Sequence, residues 1–152
     1  MGLGFRLVVF KMSRIDHFGI ATEDIEQASD FWLQIGLEAG EDHVNVEQDV
    51  KIRMFYGKDD DGNKTHSKVE LIEALSEKSP IARFINKRGV GIQQLAVSVN
   101  NIEKMVSDLI DNGIRMINSE PTLGAGGHKI AFVHPESTGG VLVELVEIKM
   151  GE

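Results

Sequence analysis

Cysteine is absent from this chain of 152 residues, and basic side chains are scarce. The missing cysteines exclude a disulfide framework and a thiolate metal site, so any bound metal must be held by histidine, carboxylate or amide groups. Lysine and arginine total 16 against 24 aspartates and glutamates, which gives a formal net charge of −8. Because nucleic acids and anionic membranes are bound through positive surfaces, the sequence predicts neither and favours a small-molecule partner.

Long apolar runs are also missing. The one apolar stretch near the N-terminus, residues 5–10, contains Arg6 and is far shorter than the ~20 apolar residues that span a bilayer. A secretory signal would need a longer apolar region and a cleavage site of small residues, and neither follows. We therefore predict a cytoplasmic protein without a membrane span, and we interpret residues 1–12 as an N-terminal extension.

The chain contains an internal repeat. The segment that begins at Ile15, IDHFGIATEDIEQASDFWLQIGL, aligns with the segment that begins at Ile92, IQQLAVSVNNIEKMVSDLIDNGI, at a constant offset of 77 residues. A second pair closes each half, because VELIE from Val69 recurs as VELVE from Val143 at an offset of 74 residues. Two pairs of similar segments in the same order are typical of a duplicated structural module.

Each copy has the pattern of a strand, a helix and three further strands. The predicted strands cover residues 15–21, 39–46, 51–56 and 68–73 in the first copy, and 92–99, 115–118, 129–133 and 141–148 in the second. Apolar residues at helical spacing predict a helix over 23–35, which ends at Gly36, and another that begins at the N-cap Asn101. The chain is therefore predicted to be α+β, with two βαβββ modules.

The module boundaries follow from the repeat. The first module covers residues 13–77 and the second covers residues 91–149. Residues 78–90 form a helical linker, in which Ser79 is the predicted N-cap and Pro80 occupies the first helical turn, where proline is tolerated.

Four polar side chains take equivalent places in the two copies. Side chains alternate faces along a strand, so Glu70 and Glu144 each lie in an apolar strand whose other face is suited to burial. A buried carboxylate has a large desolvation cost unless it is paired or bound to metal. His17 and Gln94 are matched in the first strand of each copy. The four residues therefore predict one metal site between the two modules.

A purely structural interpretation of the same residues stays open. A single glutamate in a strand usually lies on a solvated sheet face, and a single histidine is more often structural than a ligand. The agreement of all four positions with the repeat favours the metal site. Glu73 and Glu147 also repeat, but they fall on the opposite strand face near the strand ends, and we interpret them as solvated charges.

The sequence resembles the vicinal oxygen chelate superfamily and, within it, the methylmalonyl-CoA epimerase branch. The resemblance is carried, in this order, by IDHFGIAT, by VELIEAL followed by SPIARFINKRGVGI, and by GAGGHKIAFVHPESTGGVLVELVE. It implies mixed sheets that curl around a central cleft with one divalent metal ion, either zinc, cobalt or nickel. It also implies an acyl-CoA or thioester substrate and a homodimer, a common assembly of this fold. The implied metal ligands are His17, Glu70, Gln94 and Glu144.

The implied reaction is epimerisation of a methylmalonyl-CoA-like thioester through a metal-stabilised enolate. Glu144 is the candidate base that removes the α-proton, since burial can bring a carboxyl pKa nearer neutrality. Glu70 is the symmetric group that would return a proton to the other face of the substrate.

One feature departs from the family pattern. A histidine pair usually stands where this chain has Gln93 and Gln94. Gln94 can coordinate through its amide oxygen, although an amide is a weaker donor to zinc than imidazole. A set of one His, one Gln and two Glu also resembles that of some zinc-dependent glyoxalase I enzymes. A lyase acting on a glutathione hemithioacetal therefore stays an alternative, as does a non-catalytic ligand-binding protein of the superfamily.

Overall fold

The computed structural model describes residues 12–147, so the predicted extension before Met12 and the end of the second module after Glu147 lie outside the described residues. The elements of the first half are β1 (Ser13–Thr22), α1 (Ile25–Gln34), β2 (Glu38–Asn45), β3 (Val50–Lys58) and β4 (Lys64–Ala74). The helix α2 (Pro80–Arg88) follows. The second half has β5 (Gly91–Val99), α3 (Ile102–Asp111), β6 (Thr122–Leu123), β7 (Lys129–Val133) and β8 (Val143–Glu147), with short 3-10 turns at Ala125–Gly127 and Pro135–Ser137.

All eight strands form one mixed, curled sheet in the order β2-β3-β4-β1-β5-β8-β7-β6. Within each half the first strand pairs in parallel with the last, β1 with β4 and β5 with β8. The two first strands, β1 and β5, pair antiparallel at the centre. The predicted α+β fold of two βαβββ modules is confirmed. The four strands that carry the predicted ligands are consequently neighbours in the middle of the sheet.

The helices begin at side-chain caps. The Asp24 carboxylate accepts a hydrogen bond from the backbone N–H of Gln27 at the start of α1. The Asn101 side chain accepts one from the backbone N–H of Lys104 at the start of α3. Ser79 accepts from the N–H of Ile81 at the start of α2. Such caps satisfy N–H groups that have no partner within the helix. The predicted caps Asn101 and Ser79 are confirmed.

The apolar core is divided among the helices. α1 packs on β3 and β4 around Ile25, Phe55 and Leu71, and α3 packs on β7 and β8. The α3 cluster consists of Val99, Ile102, Val106, Ala131, Val133 and Leu145. α2 closes a third cluster with side chains of β1, β3 and β4, in which Ile81 contributes the helix contact. Within residues 12–147, no helix is both long and apolar enough to cross a membrane.

The predicted strand over residues 115–118 is wrong. Only a single β-bridge, between Met116 and Val133, forms there. The backbone N–H of Ile117 donates to the carbonyl oxygen of Phe132, and the N–H of His134 donates to the carbonyl oxygen of Arg115. The segment therefore runs beside β7 without forming a regular ladder. β7 pairs instead with β8 on one side and with the two-residue β6 on the other.

Candidate active site

The strand registers place the four predicted ligands on one face of the sheet. Gly19 of β1 lies opposite both Glu70 of β4 and Gln94 of β5, and Ala96 lies opposite Glu144 of β8. Residues that are opposite, or two apart along a strand, share a face. The residues brought together on this face are therefore His17, Glu70, Gln94 and Glu144.

This face lines a cleft with two compartments, both bordered by Glu70 and Glu144. The first, which we call the apolar chamber, has a volume of about 290 Å³. Its walls include Ile52, Ile72, Ile81, Phe132 and Leu142. The second, which we call the polar chamber, has a volume of about 360 Å³. Its walls include Arg14, Asp16, His43, His66, Lys68 and His128. The predicted ligands thus lie where an apolar and a charged environment meet.

The four side chains are arranged as two contacting pairs. His17 Nε2 is 3.3 Å from Glu70 Oε2, and Gln94 Nε2 donates a hydrogen bond of 2.9 Å to Glu144 Oε2. His17, Glu70 and Gln94 are only 4%, 5% and 7% exposed. The charges of His17 and Glu70 also shift the pKa of Glu144. The structure therefore brings the predicted residues together in one electrostatically coupled cluster.

Burial determines the acidity of the two carboxyls. It raises the pKa of Glu144 from 4.5 to about 7, and the negative charge of Glu70 adds to this effect while His17 opposes it. Burial likewise raises the pKa of Glu70, with the positive His17 again opposing. Both groups can therefore hold a proton at a pH where an exposed glutamate is ionised.

Asp16 is a member of the site that the sequence pattern did not predict. It is buried, and its Oδ2 lies 2.7 Å from Nδ1 of His17. Burial alone would raise the pKa of Asp16, but the hydrogen bond from His17 and the charge of Lys68 hold it well below its ordinary value. In turn, burial alone would lower the pKa of His17, but the bond to Asp16 and the charge of Glu70 raise it.

The internal repeat already indicated that Asp16 could belong to the site. At the offset of 77 residues it aligns with Gln93, whose Oε1 atom is buried without a hydrogen-bond partner. Both copies therefore place a polar side chain beside the predicted ligand. A register shift between Ile15 and His17 in the β1–β5 ladder allows Asp16 and His17 to reach the same cleft, because a bulge interrupts the alternation of faces.

The interpretation of Glu73 as a solvated charge is wrong. Its Oε2 accepts a 2.9 Å hydrogen bond from the backbone N–H of Ile25, at the first residue of α1. A carboxylate is favoured there because the helix N-terminus has unpaired N–H groups and a partial positive charge. Glu147, its counterpart in the repeat, is half-buried at the end of β8 and borders the polar chamber.

Comparison with known families agrees with this architecture. The model of the glyoxalase/bleomycin resistance protein/dioxygenase superfamily matches residues 16–132, which is most of the chain. The chain belongs to this superfamily. The resemblance to the superfamily is thereby confirmed, and the relatives described next confirm the resemblance to its methylmalonyl-CoA epimerases.

Relatives of this superfamily member cover nearly its whole length. The uncharacterized protein YqjC of Bacillus subtilis is 37% identical over 139 residues, which are 91% of this chain and 94% of YqjC. The mitochondrial methylmalonyl-CoA epimerase of Bos taurus is 34% identical over 139 residues, 90% of this chain and 75% of that enzyme. A solved methylmalonyl-CoA epimerase in complex with methylmalonyl-CoA and NH4+ has a TM-score of 0.82 at 34% identity, and the alignment covers 93% of this chain and 98% of that one.

The sequence resemblance implies one divalent ion, and the types of donor atom in the cleft suit such an ion. His17 Nε2 is buried without a hydrogen-bond partner and faces Glu70 Oε2. When both groups are unprotonated they are two acceptors that need a proton or a cation between them. Imidazole nitrogen and carboxylate oxygen suit zinc, cobalt and nickel. Among residues 12–147 no three His, Asp or Glu side chains already surround a common point, since the predicted ligands lie as two pairs.

Proposed function

We propose that this protein is an epimerase of a methylmalonyl-CoA-like thioester. It would remove the proton from the carbon between the thioester and the carboxylate and return a proton to the opposite face. The observation that carries this proposal is Glu144, a half-buried carboxyl with a pKa raised to about 7, which belongs to the same cluster as His17, Glu70 and Gln94. The homology to methylmalonyl-CoA epimerases supports it.

The predicted ligands would hold one divalent ion, either zinc, cobalt or nickel. When bound, that ion would supply Lewis-acid stabilisation of the negative charge that develops on the thioester oxygen. His17 would donate through Nε2 and Gln94 through its amide oxygen, since Gln94 Nε2 already donates to Glu144. The carboxylates of Glu70 and Glu144 would contribute the negative charge that a dication requires.

Glu144 would act as the base that removes the α-proton. A base is most effective when its pKa lies near the working pH, because it is then both ionised and still strongly basic. The hydrogen bond from Gln94 orients the Glu144 carboxylate. Of the two cleft glutamates it is also the more accessible, since Glu70 is only 5% exposed and Glu144 is half-buried.

Glu70 would supply the proton that completes inversion. In the sheet order β4 and β8 flank the central pair β1 and β5, so Glu70 and Glu144 approach the cleft from two sides. A substrate lying over the central strands would have one carboxyl on each side of its α-carbon. Burial raises the pKa of Glu70 in the metal-free protein, so this carboxyl could carry the proton when it is not bound to the ion.

The cleft matches an acyl-CoA whose acyl part combines an alkyl group with a carboxylate. The apolar chamber offers aliphatic and aromatic walls, and the polar chamber offers cationic and imidazole side chains among its carboxylates. A relative of the same fold is solved with methylmalonyl-CoA bound. These features favour a 2-alkylmalonyl thioester as substrate.

The glyoxalase I-type alternative rests on Gln94. A cluster with one histidine, one glutamine and two glutamates matches the donor set that the sequence resemblance assigns to such lyases. The acid–base chemistry is similar, because both reactions remove a proton next to a carbonyl carbon. A non-catalytic ligand-binding protein is the remaining alternative.

Proton exchange in D2O separates these functions. The zinc-loaded protein is incubated with methylmalonyl-CoA and, separately, with methylglyoxal and glutathione, and the products are followed by ¹H NMR. We expect loss of the C2 proton signal of methylmalonyl-CoA, and loss of this exchange in Glu144→Gln. Glu41→Gln, which changes an exposed glutamate of β2, should exchange as the wild type does. Reaction with methylglyoxal and glutathione alone would establish the lyase, and no reaction with either would overturn the enzymatic proposal.

A further inference from the structure

The two carboxylate oxygens of Asp16 have different partners. Oδ2 lies 2.7 Å from Nδ1 of His17. Oδ1 accepts hydrogen bonds from Ser98 Oγ at 2.9 Å and from Lys68 Nζ at 3.2 Å, and His66 Nε2 lies 3.3 Å away. Asp16 is 8% exposed, so this arrangement is held inside the cleft wall rather than in solvent.

The contact with Asp16 fixes the tautomer of the His17 ring. An ionised carboxylate only accepts hydrogen bonds, so the ring nitrogen that faces it must carry the hydrogen. The neutral imidazole then has its lone pair on Nε2. This is the atom that faces Glu70 and is buried without a hydrogen-bond partner. A carboxylate behind a metal-binding histidine is known to set the ring orientation and tautomer in this way.

We propose that Asp16 is a positioning residue that makes Nε2 of His17 the metal-binding nitrogen. Lys68 and Ser98 hold Asp16 in turn, because both donate to its far oxygen. The inference rests on the proposed metal site, and it assigns separate tasks to neighbouring residues. His17 would contact the metal, Asp16 would set the tautomer, and Lys68 with Ser98 would prevent the carboxylate from turning.

The asymmetric partners of Asp16 make Asp16→Asn an informative substitution. Lys68 and Ser98 both donate to the position of Oδ1, so the amide oxygen of the new side chain stays there. Its NH2 group then faces Nδ1 of His17 and must find an acceptor. The ring responds by moving its hydrogen to Nε2, the atom that the metal requires. The variant therefore keeps the shape of the site and reverses the tautomer.

The first measurement is zinc affinity by competition with a chromophoric chelator. Loss of a residue behind a metal-binding histidine weakens metal binding by about 10- to 100-fold, and we expect a loss of this size in Asp16→Asn. The matched control is Asp42→Asn, which removes a charge from the ion pair with Arg53 on β2 and β3. It should bind zinc as the wild type does. Thermal unfolding of both variants checks that they are folded.

The second measurement reads the tautomer directly and does not depend on metal. In metal-free protein with ¹⁵N-labelled histidine at alkaline pH, His17 should have its hydrogen on Nδ1 in the wild type and on Nε2 in Asp16→Asn. A wild-type ring with its hydrogen on Nε2 would overturn the inference even if the variant does not fold. If Asp16→Asn binds zinc as tightly as the wild type does, the role of Asp16 is overturned but the proposed metal site is not. A wild type that binds no zinc would overturn the proposed metal site and this inference together.

Discussion

Gly19 and Gln94 lie opposite each other on the central strands β1 and β5, at a distance that leaves no room for a side chain on residue 19. A Cβ atom placed on Gly19 would be 2.6 Å from Cγ of Gln94 and 3.1 Å from Cδ1 of Ile72. The glycine therefore provides the space that the Gln94 side chain occupies in the cleft. This relationship connects a backbone position in one module with a predicted metal ligand in the other.

Gly19→Ala should displace Gln94 and weaken metal binding. The added methyl group forces the amide away from Glu144, to which it now donates at 2.9 Å, and overpacking of this kind costs about 1–3 kcal/mol of stability. We expect zinc affinity, measured by chelator competition, to fall at least severalfold. Gly57→Ala is the control, because its Cβ would also be crowded, at 2.9 Å from Thr65 Oγ1, but away from the cleft. Equal zinc affinity in the two variants would contradict this role of Gly19.

Gln94→His should strengthen zinc binding. Imidazole nitrogen is a better donor to zinc than an amide oxygen, and residue 94 already lies beside Glu144. The predicted gain in affinity is on the order of tenfold, and Gln94→Leu, which removes the donor at similar size, should show a loss. Isothermal titration with zinc measures both changes. If the wild type, Gln94→His and Gln94→Leu bind zinc equally, residue 94 is not a ligand.

The stability of the metal-free protein should fall as pH rises from about 4.5 to about 7. The folded state raises the pKa of Glu144 from 4.5 to about 7, so the native protein binds this proton more tightly than the unfolded chain does. The resulting stabilisation is complete below the unfolded-state pKa and is lost as pH rises through the folded-state pKa. A pKa change from 4.5 to about 7 corresponds to about 3 kcal/mol of stability.

Glu144→Gln tests this pH dependence because the amide cannot ionise. The metal-free variant should show a weaker decline with pH and should be more stable than the metal-free wild type at neutral pH. Urea unfolding at several pH values gives both curves. Curves that run parallel for the two proteins would show that Glu144 titrates normally.

Much of the candidate site could be predicted from the sequence because the chain is duplicated. His17 and Gln94 occupy matched positions in β1 and β5, and Glu70 and Glu144 occupy matched positions in β4 and β8. Strand alternation then places all four on one face, and this rule depends only on backbone geometry. The helix caps Ser79 and Asn101 were also predictable, since capping depends on residues next to each other in the chain.

The features that the sequence did not reveal depend on tertiary placement. Asp16 reaches the cleft beside His17 because of a bulge in β1, and a bulge interrupts the alternation on which the prediction rests. Glu73 does lie on the face opposite Glu70, but it is only partly exposed and its carboxylate binds the start of α1. Residues 115–118 have strand composition, yet β7 forms its ladders with other partners.

Glu73→Ala should destabilise the protein more than Glu147→Ala does. The first substitution removes the acceptor of the Ile25 N–H at the start of α1, and losses of N-terminal capping bonds typically cost about 1 kcal/mol. Among residues 12–147, Glu147 accepts no hydrogen bond from a helix N-terminus, so we expect a loss below about 0.5 kcal/mol there. Urea unfolding compares the two. A larger effect for Glu147→Ala would contradict the capping role of Glu73.

The most direct measurement is the number of divalent ions that the protein binds per chain. Wild-type protein is dialysed against zinc, freed of excess ion and analysed by plasma mass spectrometry, together with His17→Ala and Glu144→Ala. If side chains from both halves of the chain form one metal centre, the wild type retains one ion per chain and each variant retains far less. A wild type without bound ion, or variants that keep it in full, would contradict the metal-dependent epimerase.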